Sequence, residues 1–539
     1  MNTKTALIAA AAFILPLFVC SASADTYYID SREGSDSNSG LSESSPLAGF
    51  EKVNSKSFTS GDKILIKRGS EVNGSLKISA NASADNPLVI ASYGKGSEPV
   101  IDASGYLAGV HIKNSSGVVL KDIEITGDGG KAKEEFSQKQ RYAVFVEADK
   151  GGEHNFFRLK NLDIHDIFAA KQTPSDGKNK TSNRAVGIYL ASNGKAYLSD
   201  AVVEGCRILK TGFTGIRIRS GSSNEEFNNT GIRILNNRLQ YIGGPGIQPS
   251  RAKDMLVRGN KVYRSGSTAD PRMHSRGSGI WTWGCTDVLI EKNKFTHAGG
   301  KADSCGMHID FNCRNVVIQY NFSAANAGGF IEILGNNYNC AYRYNISVND
   351  GFREKGKNGA HQEGKILWTS GYVGRNREKH GPYNSYIYNN TIYTKPGSRS
   401  CFSISPTTQG LLIANNIFCL NGETVNVLGD QDDQKARSEN PFEPVIFKNN
   451  LYCSPDTLPK DLGIKDSSPI YGSPDFQKPR GWLPQNYIPE NKELIKDKGI
   501  EIPKLAGDKI DLDIGLEPPH DFAGNEIKGR PDIGAFEID

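Results

Sequence analysis

Eight short apolar segments, each ending on asparagine, constrain this chain more than any other feature. They are Ile234-Leu235-Asn236-Asn237, Val257-Arg258-Gly259-Asn260, Ile290-Glu291-Lys292-Asn293, Ile318-Gln319-Tyr320-Asn321, Tyr342-Arg343-Tyr344-Asn345, Ile387-Tyr388-Asn389-Asn390, Ile413-Ala414-Asn415-Asn416 and Phe447-Lys448-Asn449-Asn450. Their closing asparagines lie 23, 33, 28, 24, 45, 26 and 34 residues apart. A unit of roughly twenty residues with variable insertions is the period of a β-solenoid coil. Asparagine suits such a turn because it tolerates left-handed backbone and because its amide can bond to the next coil.

Each unit holds a second strand, usually opened by glycine: Gly187-Ile188-Tyr189-Leu190, Gly215-Ile216-Arg217-Ile218-Arg219, Gly246-Ile247-Gln248-Pro249-Ser250, Gly279-Ile280-Trp281-Thr282-Trp283, Gly306-Met307-His308-Ile309-Asp310 and Gly328-Gly329-Phe330-Ile331-Glu332-Ile333. Short strands stacked coil on coil produce parallel sheets about 4.8 Å from strand to strand around an apolar interior. A β-sandwich also uses short alternating strands, but its turns do not repeat one signature at coil spacing. The expected architecture is all-β: a right-handed parallel β-helix over residues 106–455. Residues 25–105 are expected to form an N-terminal cap and the first coils, since an open solenoid end exposes core and unpaired edges. The proline-rich stretch 456–539 is expected to pack back along the helix.

Residues 1–24 carry Lys4, an apolar stretch from Ala6 to Val19, and Ala22-Ser23-Ala24, the pattern of a secretory signal peptide cut near Ala24. Cys20 allows a lipoprotein reading, although Leu17-Phe18-Val19 lacks the small residues such processing favours. The chain is therefore expected outside the cytoplasm, secreted or periplasmic, without a membrane span and as a monomer. Its formal net charge of +4 is well mixed, without basic blocks, which argues against a nucleic-acid partner. Beyond Cys20 stand eight cysteines; in an exported protein they can pair, or they can serve as small buried apolar residues.

The opening Tyr27-Tyr28-Ile29-Asp30 with Gly34-Ser35-Asp36-Ser37-Asn38-Ser39-Gly40, the Gly61-Asp62 loop, the asparagine-closed coils and the terminus Pro531 to Glu537 together resemble the exported pectate-lyase-like right-handed β-helix proteins. That family includes polysaccharide lyases and glycoside hydrolases. The resemblance spans most of the mature chain and implies the fold; many chemistries share this scaffold.

Aligning the strands on their first glycine, with Gly328 for the last, sends the first and third following residues inward and the second and fourth outward. The outward positions then read Tyr189, Arg217, Gln248, Trp281, His308, Phe330 and Ala191, Arg219, Ser250, Trp283, Asp310, Glu332. Arg217 and Arg219 suit carboxylate or sulfate groups, and Trp281 and Trp283 suit stacking on sugar rings. Asp310 and Glu332, at equal positions on adjacent coils, are expected about 5 Å apart. Such a pair cannot ionise freely at both members, so it supplies an acid and a base, with His308 assisting. Gln248, and Arg353, His361 and Glu363 from the 45-residue gap after Asn345, are further substrate-binding candidates, as are His274 and Arg276 from the insertion before Trp281. That gap holds either two coils or one coil with a long loop.

The leading reading is hydrolysis of an acidic, uronate-containing or sulfated polysaccharide without a cofactor. β-Elimination is the runner-up, with the arginines neutralising a uronate and His308, His361 or a lysine as base. The segment Phe330 to Asn337, followed by Tyr342-Arg343-Tyr344-Asn345, is similar to a coil of chondroitinase B-like and alginate-lyase-like β-helices. That similarity implies a calcium-assisted elimination, and Asn336 and Asn337 are the residues that would join a carboxylate pair around Ca2+. A third reading is a surface β-helix that only binds glycans.

Overall fold

The computed structural model describes residues 24–171, 184–427 and 444–538. The expected signal peptide, apart from Ala24, lies outside the described residues, as does Cys20. The chain winds as a right-handed parallel β-helix with three long sheets of 15, 14 and 12 strands. Every strand pair within them is parallel, as coil-on-coil stacking requires. One coil shows the path: Ala252–Arg258 in the first sheet, Lys261–Ser265 in the second and Ile280–Thr282 in the third. The next coil repeats it as Thr286–Glu291, Lys294–Thr296 and Met307–Ile309. Thr26–Ile29 already pairs with Lys63–Lys67 in the first sheet, so coiling begins within the first described residues.

The asparagine motif forms the tight corner between first and second sheets, and there the two roles expected of one residue are divided between two. Left-handed backbone falls on the residue before the closing asparagine: Asn236, Gly259, Lys292, Tyr320, Tyr344, Asn389, Asn415 and Asn449 all have positive φ. The closing asparagine instead turns inward and forms a ladder. The Nδ2 of Asn237, Asn260, Asn293, Asn321, Asn345, Asn390 and Asn416 each donates to Oδ1 of the next, at 2.9–3.0 Å. Asn450 ends the series by donating to Oδ2 of Asp466 at 2.8 Å, a carboxylate that only accepts.

A second buried polar stack lies at the next corner. Oδ1 of Asp350 accepts from the backbone N and Nδ2 of Asn326, and its Oδ2 accepts from Ser323 and Ser347. Burial raises the Asp350 carboxyl to about 7 in spite of these bonds. Because the folded value lies above the unfolded one, this group's contribution to stability is complete below about pH 4 and is lost as pH rises to about 7. Asp350→Asn keeps the acceptor toward Asn326 and offers an amide to the two hydroxyls. It is expected to match the wild type near pH 4 and exceed it near pH 8 by up to about 4 kcal/mol, an upper limit set by a three-unit shift. Urea titrations at the two pH values check this; a variant less stable than wild type at both would refute it.

Insertions are confined to corners, as expected where a coil cannot lengthen without breaking register. The 45-residue interval after Asn345 is one coil: Tyr342 pairs directly with Ile387, and Ile346 with Thr391. Its excess lies in the corners at 349–364 and 370–382. Residues beyond 456 return along the outside of the helix. Phe476, Tyr487, Ile495 and Phe536 cover Phe322, Ile346, Tyr393 and Ile417, while Ile502, Leu505 and Leu512 cover Tyr320, Tyr344, Tyr386 and Tyr388. Cys419 and Cys453 form a disulfide, and the other six described cysteines are buried thiols, so both readings of cysteine apply to different members. No helix among the described residues is long and apolar enough to cross a membrane.

Candidate active site

The third sheet carries the outward row. Its strands pair Tyr189 with Arg217, Arg217 with Gln248, and Trp281 with His308. Ile280, Thr282 and Ile309 are fully buried, whereas Trp281 and Trp283 are half-exposed, so the alternation read from sequence places both indoles on the outer face.

One strand departs from the expected alignment. Cys305 pairs with Gly329 and Ile309 with Ile333, which sets Glu332 opposite His308 rather than beside Asp310. Aligning on Gly328 is two residues off because Gly328 belongs to the corner, where any Cβ would meet the Asp303 carbonyl at 1.7 Å. A two-residue slip preserves the face of Glu332 but changes its neighbour. Phe330 does not join the outer row; it is fully buried in the interior, edge-on to Tyr342. The expectation of an adjacent Asp310–Glu332 pair at equal rungs is therefore corrected.

Around Trp281 and His308 the side chains converge. The rings stack at 5.6 Å, and the indole Nε1 donates to Oδ2 of Asp310 at 2.6 Å, while the backbone N of Phe311 donates to its Oδ1. Oε1 of Glu332 lies 3.1 Å from Nε2 of His308, but the contact is misaligned for a hydrogen bond, and both imidazole nitrogens are buried without a bonded partner. Oε2 of Glu332 accepts from Sγ of Cys305 at 2.9 Å.

A third carboxylate, Asp303, enters from the corner before the Met307–Ile309 strand, where it and Ser304 have left-handed backbone. Arg276 holds it through two contacts, at 2.6 and 2.8 Å, and Gln362 accepts from its backbone N. Asp303 was not among the residues selected by reading outward strand positions, because it stands on a corner; its only sequence signal is an acidic residue three places before the strand's opening glycine. The insertions at 266–279 and 349–364 reach the cluster through Arg276 and Gln362. Arg353 anchors the second by donating to the carbonyl of Gln362 at 2.8 Å.

The ionisation states separate sharply. Burial pushes Asp310 up to about 7 and Glu332 up to about 8, each reinforced by the charge of Asp303. Burial also acts on Asp303, but the Arg276 charge and hydrogen bonds outweigh it and hold this carboxyl below the usual aspartate value. His308 is lowered to about 4, by burial first, and is neutral at physiological pH. Below about pH 7 Asp310 and Glu332 thus both keep protons, and there neither supplies a base to the other. The anionic member of the cluster is Asp303.

The remaining candidates divide by position. Gln248 sits one rung from Trp281, and Arg217 one further, its guanidinium against the rings of Tyr189 and Phe213 with two nitrogens unbonded. Arg219 is half-exposed on the same rung. His274 packs edge-on to Phe213. Glu363 is turned away, paired with Arg399 and accepting from the backbone N of Lys355, and His361 is exposed; the residue between them, Gln362, is the one that reaches Asp303. Loop residues shift role with one-residue changes in path that no periodicity records. Asn337 accepts from the backbone N of Cys313 and donates to the carbonyl of Ile309, and Asn336 donates to Asn312, so these amides are committed to holding coils together. Among the described residues no group of three or more His, Cys, Asp or Glu is placed to hold a metal ion. Sequence reading also passed over Trp368, which pairs with Glu332 on the next rung and carries Lys365 Nζ 3.9 Å from its ring centroid.

Comparison with known proteins agrees with the fold. Residues 186–432 match the model of the right handed beta helix region family. A lacto-N-biosidase of Bifidobacterium longum subsp. longum is 24% identical over 96% of this chain, and the chain spans 36% of that relative's length. Crystal structures of a GH136 lacto-N-biosidase from Eubacterium ramulus, native and selenomethionine forms, superpose with a TM-score of 0.55 at 21% identity, covering 75% of this chain and 67–68% of theirs.

Proposed function

We propose that this protein is a glycoside hydrolase whose chemistry is performed by Asp310 and Asp303 beside Trp281 and His308. The observation that carries the reading is one buried cluster in which neighbouring carboxyls are pushed in opposite directions, Asp310 up to about 7 and Asp303 down. Opposed ionisation of two carboxyls is what an acid-base division of labour requires. Asp310 gives its proton to the departing glycosidic oxygen, and anionic Asp303 supports the electron-deficient anomeric carbon; water then adds its hydroxyl to that carbon and returns its other proton to Asp310. The similarity to lacto-N-biosidases supports hydrolysis over elimination. Neutral His308 stacks on the Trp281 ring that orients Asp310, and Glu332 packs against its Nε2 edge; both are positioning residues.

The glycan is proposed to be acidic, its charge bound by Arg217 and Arg219. Those residues stand two rungs, about 10 Å, from Trp281, a distance one to two sugars span. No cofactor enters this scheme, and the protein is proposed to act after export, as a monomer.

The test incubates the protein with uronate-containing, sulfated and neutral oligosaccharides and with a substrate cleaved by lacto-N-biosidases. New reducing ends without the ultraviolet absorbance of an unsaturated uronate support hydrolysis. That absorbance indicates elimination, and binding without products a lectin-like role; either overturns the proposal. The rate is expected to hold across mildly acidic pH and to fall as pH rises through about 7, because the acid loses its proton there. A rate that rises through pH 7 would rule out Asp310 as the acid.

A further inference from the structure

The second sheet carries a groove on a different face from the candidate active site. Arg238, Lys261 and Lys294 occupy one column, paired rung to rung, and Arg207 precedes them. Arg207 is neutralised by Asp163 at 2.7 Å, but the next three cations have no acidic partner among the described residues. Like charges placed opposite one another on neighbouring strands destabilise a sheet. Here Lys294 is lowered by burial and by the charge of Lys261. A column of three unneutralised cations is a standing cost to the fold, and an anionic ligand would remove it.

Aromatic groups complete the groove, which has a volume of about 400 Å³. Trp482, 48% exposed, comes from the returning C-terminal segment and stacks on His297 at 5.4 Å. Tyr263 meets His297 in a T-shaped contact at 5.1 Å, and Nδ1 of His297 is buried without a hydrogen-bond partner. Arg264 lies over Tyr263 at 5.2 Å. An exposed indole held in place beside cations offers a flat apolar shelf next to charge.

We propose that this groove binds an anionic oligosaccharide, with its carboxylate or sulfate groups on Arg238, Lys261 and Lys294 and a sugar face on Trp482. The site is separate from the hydrolytic cluster and does not depend on it. Column spacing of about 4.8 Å lets successive cations meet successive charged groups along an extended chain. A short groove with one exposed indole and lysines, which bind as point charges, fits one or two sugar rings better than a nucleic-acid backbone.

The experiment uses calorimetric titration of the Asp310→Asn protein, which leaves the ligand intact, with an oligogalacturonate, a sulfated galactan oligosaccharide, a neutral malto-oligosaccharide and single-stranded DNA. One or both anionic sugars are expected to bind and the neutral sugar not; which anionic sugar binds separates uronate from sulfate. Lys261→Glu and Trp482→Ala should each weaken that binding at least tenfold, while Trp482→Phe keeps most of it. In the active background, Lys261→Glu should leave hydrolysis of a short soluble substrate unchanged. Absence of anionic-sugar binding, tighter binding of DNA, or affinity untouched by either weakening variant would overturn the proposal. Unfolding curves of each variant identify one that has lost the fold, and Lys261→Gln, milder than charge reversal, then replaces Lys261→Glu.

Discussion

Asp310→Asn is expected to lower kcat by about a thousandfold while leaving substrate binding nearly intact, the size of effect for losing a positioned general acid. The asparagine still accepts from Trp281 or Phe311 but has no proton to give. Asp303→Asn is expected to be equally damaging for the opposite reason: it removes the only anionic carboxyl of the cluster and leaves the Arg276 guanidinium buried against a neutral amide. Glu332→Gln should cost less than about tenfold, because a carboxyl held neutral by burial up to about 8 is already close to an amide in charge and shape. Initial rates for the three variants, with thermal unfolding as a control on folding, check the assignment. A Glu332→Gln variant as inactive as Asp310→Asn would move the acid to Glu332.

The largest effect on stability is expected in the asparagine ladder. Asn321 accepts at Oδ1 from the backbone N and Nδ2 of Asn293, and its own Nδ2 donates to Ile290, Gln319 and Asn345. Asn321→Ala strands several of these partners inside a fully buried corner, where each unsatisfied group costs about 1–3 kcal/mol. A total on the order of 4 kcal/mol or more follows. Because a stacked array can open at one coil, hydrogen exchange at Ile290–Asn293 and Ile318–Asn321 reads the loss more directly than a global melt. Lys292→Gly, one residue from a ladder member but at a left-handed φ of 55°, should be neutral or stabilising. Loss of protection in Lys292→Gly comparable to Asn321→Ala would refute the division of roles between the two corner positions.

Much of the fold was legible because a solenoid is local. A coil touches only its neighbours, so the corner asparagines and the alternation Ile280-Trp281-Thr282-Trp283 report burial directly from sequence order. The site was legible only in part. His308, Asp310 and Trp281, which the structure brings together, could be singled out because they lie on regular strand positions. The partner of Glu332 was misassigned because Gly328-Gly329 offers two starting points and the sequence does not say which glycine is corner and which is strand. Asp303 and Gln362 were missed because they stand on corners whose paths are fixed by contacts between coils, and His361 and Glu363 were chosen in place of the residue between them.

What the sequence determined by itself was therefore the coil, its period, its inward and outward faces and the row on which chemistry would be placed; all follow from side-chain alternation and from corner residues that act within one or two rungs. Tertiary structure alone decided which carboxyl is charged. Asp303, Asp310 and Glu332 differ little in sequence context, and their ionisation depends on Arg276, brought from an insertion 27 residues earlier in the chain than Asp303, and on how completely each group is withdrawn from water. Such shifts are sums over groups distant in sequence, and only the folded coils bring those groups together.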